Sequence, residues 1–126
     1  MAESSVPRLL LESARQDEKA VAALSPVRDI GDAIIGFHAQ QAVEKALKAV
    51  LSSAGIIFRR THDIAELLDL LADSGLSAPP EAETLDELNP YAVEARYGLV
   101  ELSGLDRQKI RVTIAQVLAW AEAHIE

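Results

Sequence analysis

The sequence predicts an all-α protein, an antiparallel up-and-down bundle of four to five helices that takes in residues 1–126 as a single domain. Apolar residues recur with helical spacing in five stretches, and no stretch of useful length alternates with period two. Apolar residues make up 49% of the chain and aromatic residues only 4%, so the core must consist mostly of Ala, Leu, Ile and Val. An alanine-rich core favours close-packed helices over sheets, and short connections suit antiparallel neighbours.

The first two predicted helices are the longest. The first runs from about Arg8 to Leu24, with Asp17 among the residues on its solvent side. The second runs from about Asp29 to Ala54, with Gly55 as its natural end. Glu44 and Lys48 stand four residues apart in the order that stabilises a helix. The inward stripe of the second helix is predicted to consist of Val43, Ala46, Leu47, Val50, Leu51 and Ala54.

Three further helices are predicted in the second half of the chain. One begins at Asp63, which forms a capping-box pattern with Glu66, although Thr61 is an alternative cap. A shorter helix opens at Pro79-Pro80 and is kinked or broken near Pro90; Leu85, Leu88, Ala92 and Ala95 are its inward positions. The segment from Gly98 to Gly104 is predicted to be irregular, and Asp106 caps the last helix.

Composition narrows the function classes. The formal net charge is −8, which opposes non-specific binding to nucleic acid but leaves room for a local basic patch. The absence of cysteine excludes disulfides and thiolate metal sites. Neither a signal-peptide pattern nor an apolar run of membrane-spanning length is present, so we expect a cytoplasmic protein. Nucleotide-binding loops, hydrolase elbows and zinc-protease motifs are missing, and the three histidines lack metal-ligand spacing. The sequence therefore predicts no cofactor and no metal.

One polar helix face is the main candidate site. His38, Gln41, Lys45 and Lys48 stand at offsets of 0, 3, 7 and 10 residues, so they share one side of the second helix. Lysines supply positive charge, and His and Gln supply hydrogen bonds, so this face is suited to an anion. A solvated stripe, or polar residues that pair with each other at a dimer seam, would give the same pattern.

Three smaller groups are secondary candidates. In Thr61-His62-Asp63, His62 next to Asp63 has the composition of an oriented general base, but adjacent residues diverge at a helix start, which favours capping. Arg59-Arg60 is either a phosphate contact or surface charge. Tyr91, Arg96 and Tyr97 combine an arginine with aromatic rings, which is suited to stacking on a base, to binding phosphate or to holding a helix end.

One part of the chain, from Phe37 to Leu71, combines several short motifs. Residues 37–42 are Phe-His-Ala-Gln-Gln-Ala, and residues 44–48 are Glu-Lys-Ala-Leu-Lys. Gly55, Phe58 and the run Thr61-His62-Asp63-Ile64 follow, and Ala95-Arg96-Tyr97 comes later. In these motifs and their order the chain resembles the HEPN domain family. The resemblance implies a helical bundle of about this length, often dimeric and often encoded beside, or fused to, a minimal nucleotidyltransferase. A role in binding nucleotides has been proposed for the family.

Some members of this family are metal-independent ribonucleases that act as toxins. That activity depends on an arginine followed, after four to six residues, by a histidine. Arg96 is followed at those distances by Glu101, Leu102 and Ser103, and none of the other arginines meets the spacing. The departure counts against ribonuclease and toxin activity.

Three hypotheses follow from the sequence. The first is a non-catalytic HEPN module that pairs with a nucleotidyltransferase and helps bind a nucleotide. In it Lys45 and Arg96 meet phosphate, His38 and Gln41 donate or accept hydrogen bonds, and Tyr97 stacks, with Lys48 on the same face. The second is an atypical ribonuclease toxin of a toxin–antitoxin pair. The third is a ligand-free homodimeric scaffold, with a seam formed by the Ala-rich face of the second helix and the stripe on the last helix.

Overall fold

Four α-helices and one 3₁₀ helix form the described part of this computed structural model, which comprises residues 5–93, 97 and 104–125. No strand occurs among those residues, and the predicted all-α antiparallel bundle is confirmed. The elements, in chain order, are α1 (Val6–Leu24), α2 (Asp32–Ser53), α3 (Ile64–Asp73), the 3₁₀ helix (Leu85–Tyr91) and α4 (Arg107–His124).

Helix α2 is the central element of the bundle. It packs against α1, α3, α4 and the 3₁₀ helix, and twelve of its 22 residues are buried. Ala39, Ala42, Ala46 and Ala49 of α2 are all fully buried, and side chains this small allow neighbouring helices to approach closely. Burial of leucine, isoleucine and valine from the helices in one core stabilises the arrangement.

The start of α2 differs from the prediction by one turn. Helical structure begins at Asp32 rather than Asp29, and Arg107 of α4 accounts for the difference. Its guanidinium donates hydrogen bonds to the backbone carbonyls of Ser25, Val27 and Ile30 and to the carboxylate of Asp32. These bonds hold the three carbonyls in an irregular loop, and they come from a side chain 77 or more residues away in sequence. A local sequence pattern cannot predict such a contact.

The 3₁₀ helix replaces the short α-helix predicted after Pro79-Pro80. Pro90 lies inside it, and because proline has no N–H it cannot donate the bond that would continue an α-helix. Tyr91, at the end of the 3₁₀ helix, packs its ring on Gly36 of α2, where a Cβ atom would overlap with the ring. Leu85, Leu88 and Ala92 are buried as predicted, and Ala95 lies outside the described residues.

The predicted N-terminal caps have mixed outcomes. Asp106 caps α4 by accepting from the Lys109 backbone N–H at 3.0 Å, as predicted. Asp63 caps α3 by accepting from the Ala65 N–H at 3.0 Å, but the Glu66 carboxylate, which would complete the capping box, pairs with Arg59 instead. Among the described residues, no helix is long and apolar enough to cross a membrane.

Candidate functional site

Four of the predicted binding residues lie together along α2. His38, Gln41, Lys45 and Lys48 follow one side of the helix, between Asp17 of α1 and the residues that precede α3. Their side chains are only partly accessible: that of His38 is 30% exposed, that of Lys45 24% and that of Lys48 14%. We call this surface, with Asp17, Gln40, Glu44 and His62, the α2 polar face.

Asp17 is the centre of one half of the α2 polar face. It is buried at 8% relative exposure and accepts a hydrogen bond from Lys45 Nζ at 2.7 Å through Oδ2. Its Oδ1 lies 2.9 Å from His38 Nδ1. Because an ionised carboxylate only accepts hydrogen bonds, the proton of this contact is on Nδ1. The imidazole is therefore oriented by a buried carboxylate, and Nε2 is the ring nitrogen that remains for an incoming group.

Glu44 is the centre of the other half. It is 4% exposed; its Oε2 accepts from Lys48 Nζ at 2.9 Å, and its Oε1 accepts from Gln40 Nε2 at 2.8 Å and from His62 Nδ1 at 2.8 Å. Burial raises the pKa of Glu44, but the hydrogen bonds from Lys48, Gln40 and His62 outweigh it and hold the pKa below its ordinary value. Glu44 is therefore an anion at neutral pH.

Two glutamines extend the hydrogen-bond network around Glu44. Gln40 is fully buried, and its Nε2 also donates to the His62 backbone carbonyl at 3.2 Å. Gln41 donates from Nε2 to Gln40 Oε1 at 2.7 Å. The side-chain amide of Gln41 is thus already engaged with the network that a ligand would have to enter.

The α2 polar face is balanced in charge. Lys45 is paired with Asp17, and Lys48 with Glu44. Within the described part of the chain, every buried side-chain nitrogen and oxygen has a hydrogen-bond partner. The two lysines are therefore not isolated cations. An anion on this face has to use the ammonium N–H groups that remain beyond the carboxylate contacts, since each ammonium has three donors.

In the predicted group of Tyr91, Arg96 and Tyr97, the two tyrosines differ in exposure. Tyr91 is in the core at 7% exposure, and burial, with the negative charge of Asp32, raises the pKa of its hydroxyl. Tyr97 is 68% exposed. Arg96 lies outside the described residues, so its contact with phosphate stays a prediction.

The segment Thr61-His62-Asp63 combines capping with a long-range contact. Asp63 caps α3, and its own backbone N–H donates to Thr61 Oγ1 at 3.0 Å, as the capping interpretation predicts. His62 reaches Glu44, 18 residues away, which the capping interpretation does not predict. Asn89 of the 3₁₀ helix adds a second cap, because its Oδ1 accepts from the Ile64 N–H at 3.0 Å.

Sequence reasoning does not find the two carboxylates that organise the site. It places Asp17 on the solvent side of α1 and recognises Glu44 only as the helical partner of Lys48. The available signal is the register of Asp17, which lies three residues after Ala14 and four before Val21, both of which are buried. Arg59, a candidate for either a phosphate contact or a surface charge, pairs with Glu66 at 2.7 Å.

The described residues contain no group of three or more His, Cys, Asp or Glu that could hold a metal ion. The α2 polar face provides two histidine–carboxylate pairs, two lysine–carboxylate pairs and the amides of Gln40 and Gln41. Such an arrangement can bind hydrogen-bonding groups and orient imidazoles for proton transfer.

Comparison with known proteins gives the chain a family. The model of the HEPN domain matches residues 8–124. The crystal structure of TT1696 from Thermus thermophilus is similar over 94% of this chain and 98% of that one, with a TM-score of 0.74 and 28% sequence identity. The crystal structure of ST0689, an archaeal HEPN homologue, is similar over 95% and 98% of the two chains, with a TM-score of 0.69 and 22% identity. No curated protein matches the chain.

The matched region takes in the 3₁₀ helix, α2, α3, α4 and nearly all of α1, together with every residue of the α2 polar face. The family model therefore spans most of the chain, and the fold is shared with the HEPN homologue ST0689. The chain belongs to the HEPN domain family.

Proposed function

We propose that this chain is a non-catalytic HEPN module that pairs with a nucleotidyltransferase-domain protein and contributes the α2 polar face to the binding of a nucleotide. The observation that supports the proposal is the way in which buried Asp17 and Glu44 hold two ammonium groups and two imidazoles in fixed positions on a partly exposed surface. Groups fixed in advance lose little entropy when a ligand binds. Family membership is consistent with such a role.

In this proposal the phosphates approach Lys45. Its ammonium keeps donors beyond the one used on Asp17, and Arg96 is expected to supply the second cation. Nε2 of His38 is available for a hydrogen bond, and Tyr97 is expected to stack on the base. Because two carboxylates lie within 3 Å of the lysines, they oppose a polyanion, so we expect weak binding by the isolated chain and tighter binding when a partner adds positive charge.

The test is a nucleotide titration followed by thermal unfolding. The purified chain is mixed with ATP, GTP, CTP and their monophosphates, alone and with a nucleotidyltransferase-domain protein of the same genome. A rise in Tm for one nucleotide that Lys45→Ala and Arg96→Ala abolish, and that the surface control Lys19→Ala preserves, would support the site. A flat response in every condition, with and without the partner, would contradict it.

A ribonuclease is the second candidate, favoured by one observation. His38 and His62 each place Nδ1 against a buried carboxylate, at 2.9 and 2.8 Å, which is how a general base or acid is oriented. The missing Arg–His spacing opposes this candidate. Cleavage of RNA by the wild type, lost in both His38→Asn and His62→Asn, would support it; RNA left intact at concentrations where an authentic family ribonuclease cleaves it would dispose of it.

A homodimer is the third candidate, and the structure changes where its seam would lie. The Ala-rich face of α2 and the apolar stripe of α4 are buried within the chain itself, so neither is available to a second copy. A dimer would have to use other apolar side chains, such as exposed Val6, Leu9 and Val112. Sedimentation as a monomer across a wide concentration range would exclude the dimer.

A further inference from the structure

The negative charge of this protein is concentrated in one segment. Residues 63–87 contain eight of the 20 Asp and Glu residues and none of the 12 Lys and Arg residues. The 12 acidic residues elsewhere in the chain match the 12 basic ones, so this segment accounts for the whole formal net charge of −8. One of its carboxylates, Glu66, is paired with Arg59. The others leave α3, the loop after it and the start of the 3₁₀ helix strongly negative.

An apolar groove runs through the same segment. It lies between α3, the loop that follows and the start of the 3₁₀ helix, and has a volume of about 480 Å³. Its apolar lining includes Leu68, Leu71, Leu76, Pro79 and Ala82. Leu71 and Pro79 are buried, whereas Leu68, Leu76 and Ala82 remain half-buried, so part of this lining still faces solvent.

Acidic side chains surround the groove. Asp69, Glu83 and Asp86 line it and are exposed. Asp69 comes from α3, Glu83 from the loop and Asp86 from the 3₁₀ helix, so the carboxylates are contributed by all three parts of its wall. A protein surface with an apolar floor and a charged rim can bind an amphipathic segment. The floor contacts the apolar side chains of the segment, and the rim selects the sign of the charges that flank them.

We propose that this groove, which we call the acidic groove, docks a protein segment that presents apolar side chains flanked by lysine and arginine. The charge argues for this occupant over the others. A second copy would bring the same eight carboxylates, and nucleic acid or an anionic lipid surface would bring negative charge, so each of these is repelled. The acidic groove involves none of the residues of the α2 polar face, so this proposal stands independently of any nucleotide binding.

The probe is a synthetic helical peptide of about 18 residues, with leucine on one face and lysine on the flanking positions. A second peptide keeps the leucines and replaces every lysine by glutamate. Binding of each fluorescent peptide to the full chain is measured by anisotropy at low and at physiological salt. We expect the lysine peptide to bind, its affinity to fall as salt rises, and the glutamate peptide not to bind.

Matched variants locate the binding. Asp69→Asn combined with Glu83→Gln removes two rim charges, and Glu12→Gln combined with Asp29→Asn removes two exposed charges from α1 and the loop after it. The first pair is expected to weaken binding about fivefold and the second to leave it unchanged. Ala72→Arg places a bulky cation in the acidic groove and is expected to weaken binding about tenfold or more. Ala23→Arg, at an exposed position of α1, is expected to weaken it much less.

Several outcomes would overturn the proposal. Equal binding of the glutamate peptide, equal loss in both pairs of charge variants, or no binding of the lysine peptide would each do so. Self-association of the chain that Ala72→Arg abolishes and Ala23→Arg preserves would assign the groove to a second copy instead. Circular dichroism checks that each variant remains helical, and the charge pair, which alters only exposed side chains, decides the matter if Ala72→Arg is misfolded.

Discussion

The α2 polar face and the acidic groove differ in how their carboxylates are placed and paired. On the α2 polar face, two buried carboxylates each hold a lysine and a histidine. Around the acidic groove, carboxylates are exposed and no lysine or arginine occurs between residues 63 and 87. The buried charges are satisfied within the chain and hold its helices in register, whereas the exposed ones contribute little to folding and remain available to a partner. A single net charge for the whole chain conceals this division.

The largest expected effect is the difference in stability between a variant at a buried carboxylate and one at an exposed carboxylate. Glu44→Gln removes the charge that Lys48 and His62 share in the interior, and we expect it to lower the free energy of unfolding by about 2–3 kcal/mol. Glu83→Gln removes an exposed charge and should change it by less than about 0.5 kcal/mol. Urea unfolding at pH 7 measures both. Equal effects would show that the two regions do not differ in the way described.

The pH dependence of stability sharpens the same contrast. The folded-state pKa of Glu44 is lowered from 4.5, so its stabilising contribution is present above that value and is lost as the pH falls through the folded pKa. The difference in unfolding free energy between wild type and Glu44→Gln should therefore shrink steadily below about pH 4.5. The matched difference for Glu83→Gln should stay close to zero. A difference for Glu44→Gln that is constant from pH 7 to pH 3 would contradict the pairing with Lys48 and His62.

The sequence predicts local structure better than it predicts this polar network. The apolar stripe of α2, the Asp63 and Asp106 caps and the Glu44–Lys48 pair depend on residues close in sequence, and they occur. The exception is Ala54, the predicted last residue of that stripe, which lies just after α2 and is exposed. The contacts of Asp17 with His38 and Lys45 join residues 21 and 28 positions apart. Helical periodicity indicates that a polar residue lies at the border of the buried face. Which residue it contacts there depends on how the helices pack.

Long-range contacts also explain why the predicted start of α2, at Asp29, differs from the observed one, at Asp32. Arg107 lies 75 residues from Asp32, and its contacts with three loop carbonyls fix the start of α2. Gly36 is a second example. Glycine has a low helix propensity, so its position inside α2 looks unfavourable from the sequence. Its role becomes visible only in the structure, where Tyr91 packs on it. Tertiary contacts of this kind have no signature in a short window of sequence.

A smaller effect is expected from relieving the acidic segment itself. Asp73 is the last residue of α3, where the carbonyl end of the helix disfavours negative charge, and Asp69 stands one turn before it. Asp73→Lys replaces both unfavourable interactions by favourable ones, and we expect it to raise the free energy of unfolding by about 1 kcal/mol at low salt. High salt should reduce the gain. Asp73→Asn, which removes the charge without reversing it, should give about half the effect, and a loss of stability in both variants would contradict the account.

The smallest effect concerns the backbone of the loop that borders the acidic groove. Glu81 has a φ of 61°, a left-handed conformation that costs a residue with a Cβ atom about 1–2 kcal/mol. Glycine avoids this cost but loses more entropy on folding, so Glu81→Gly should raise the free energy of unfolding by about 0.5 kcal/mol. Glu81→Ala removes the same charge and keeps the strain, so it should not stabilise the protein. Equal stabilisation by both variants would show that the unfavourable energy at this position comes from crowded negative charge and not from the backbone conformation.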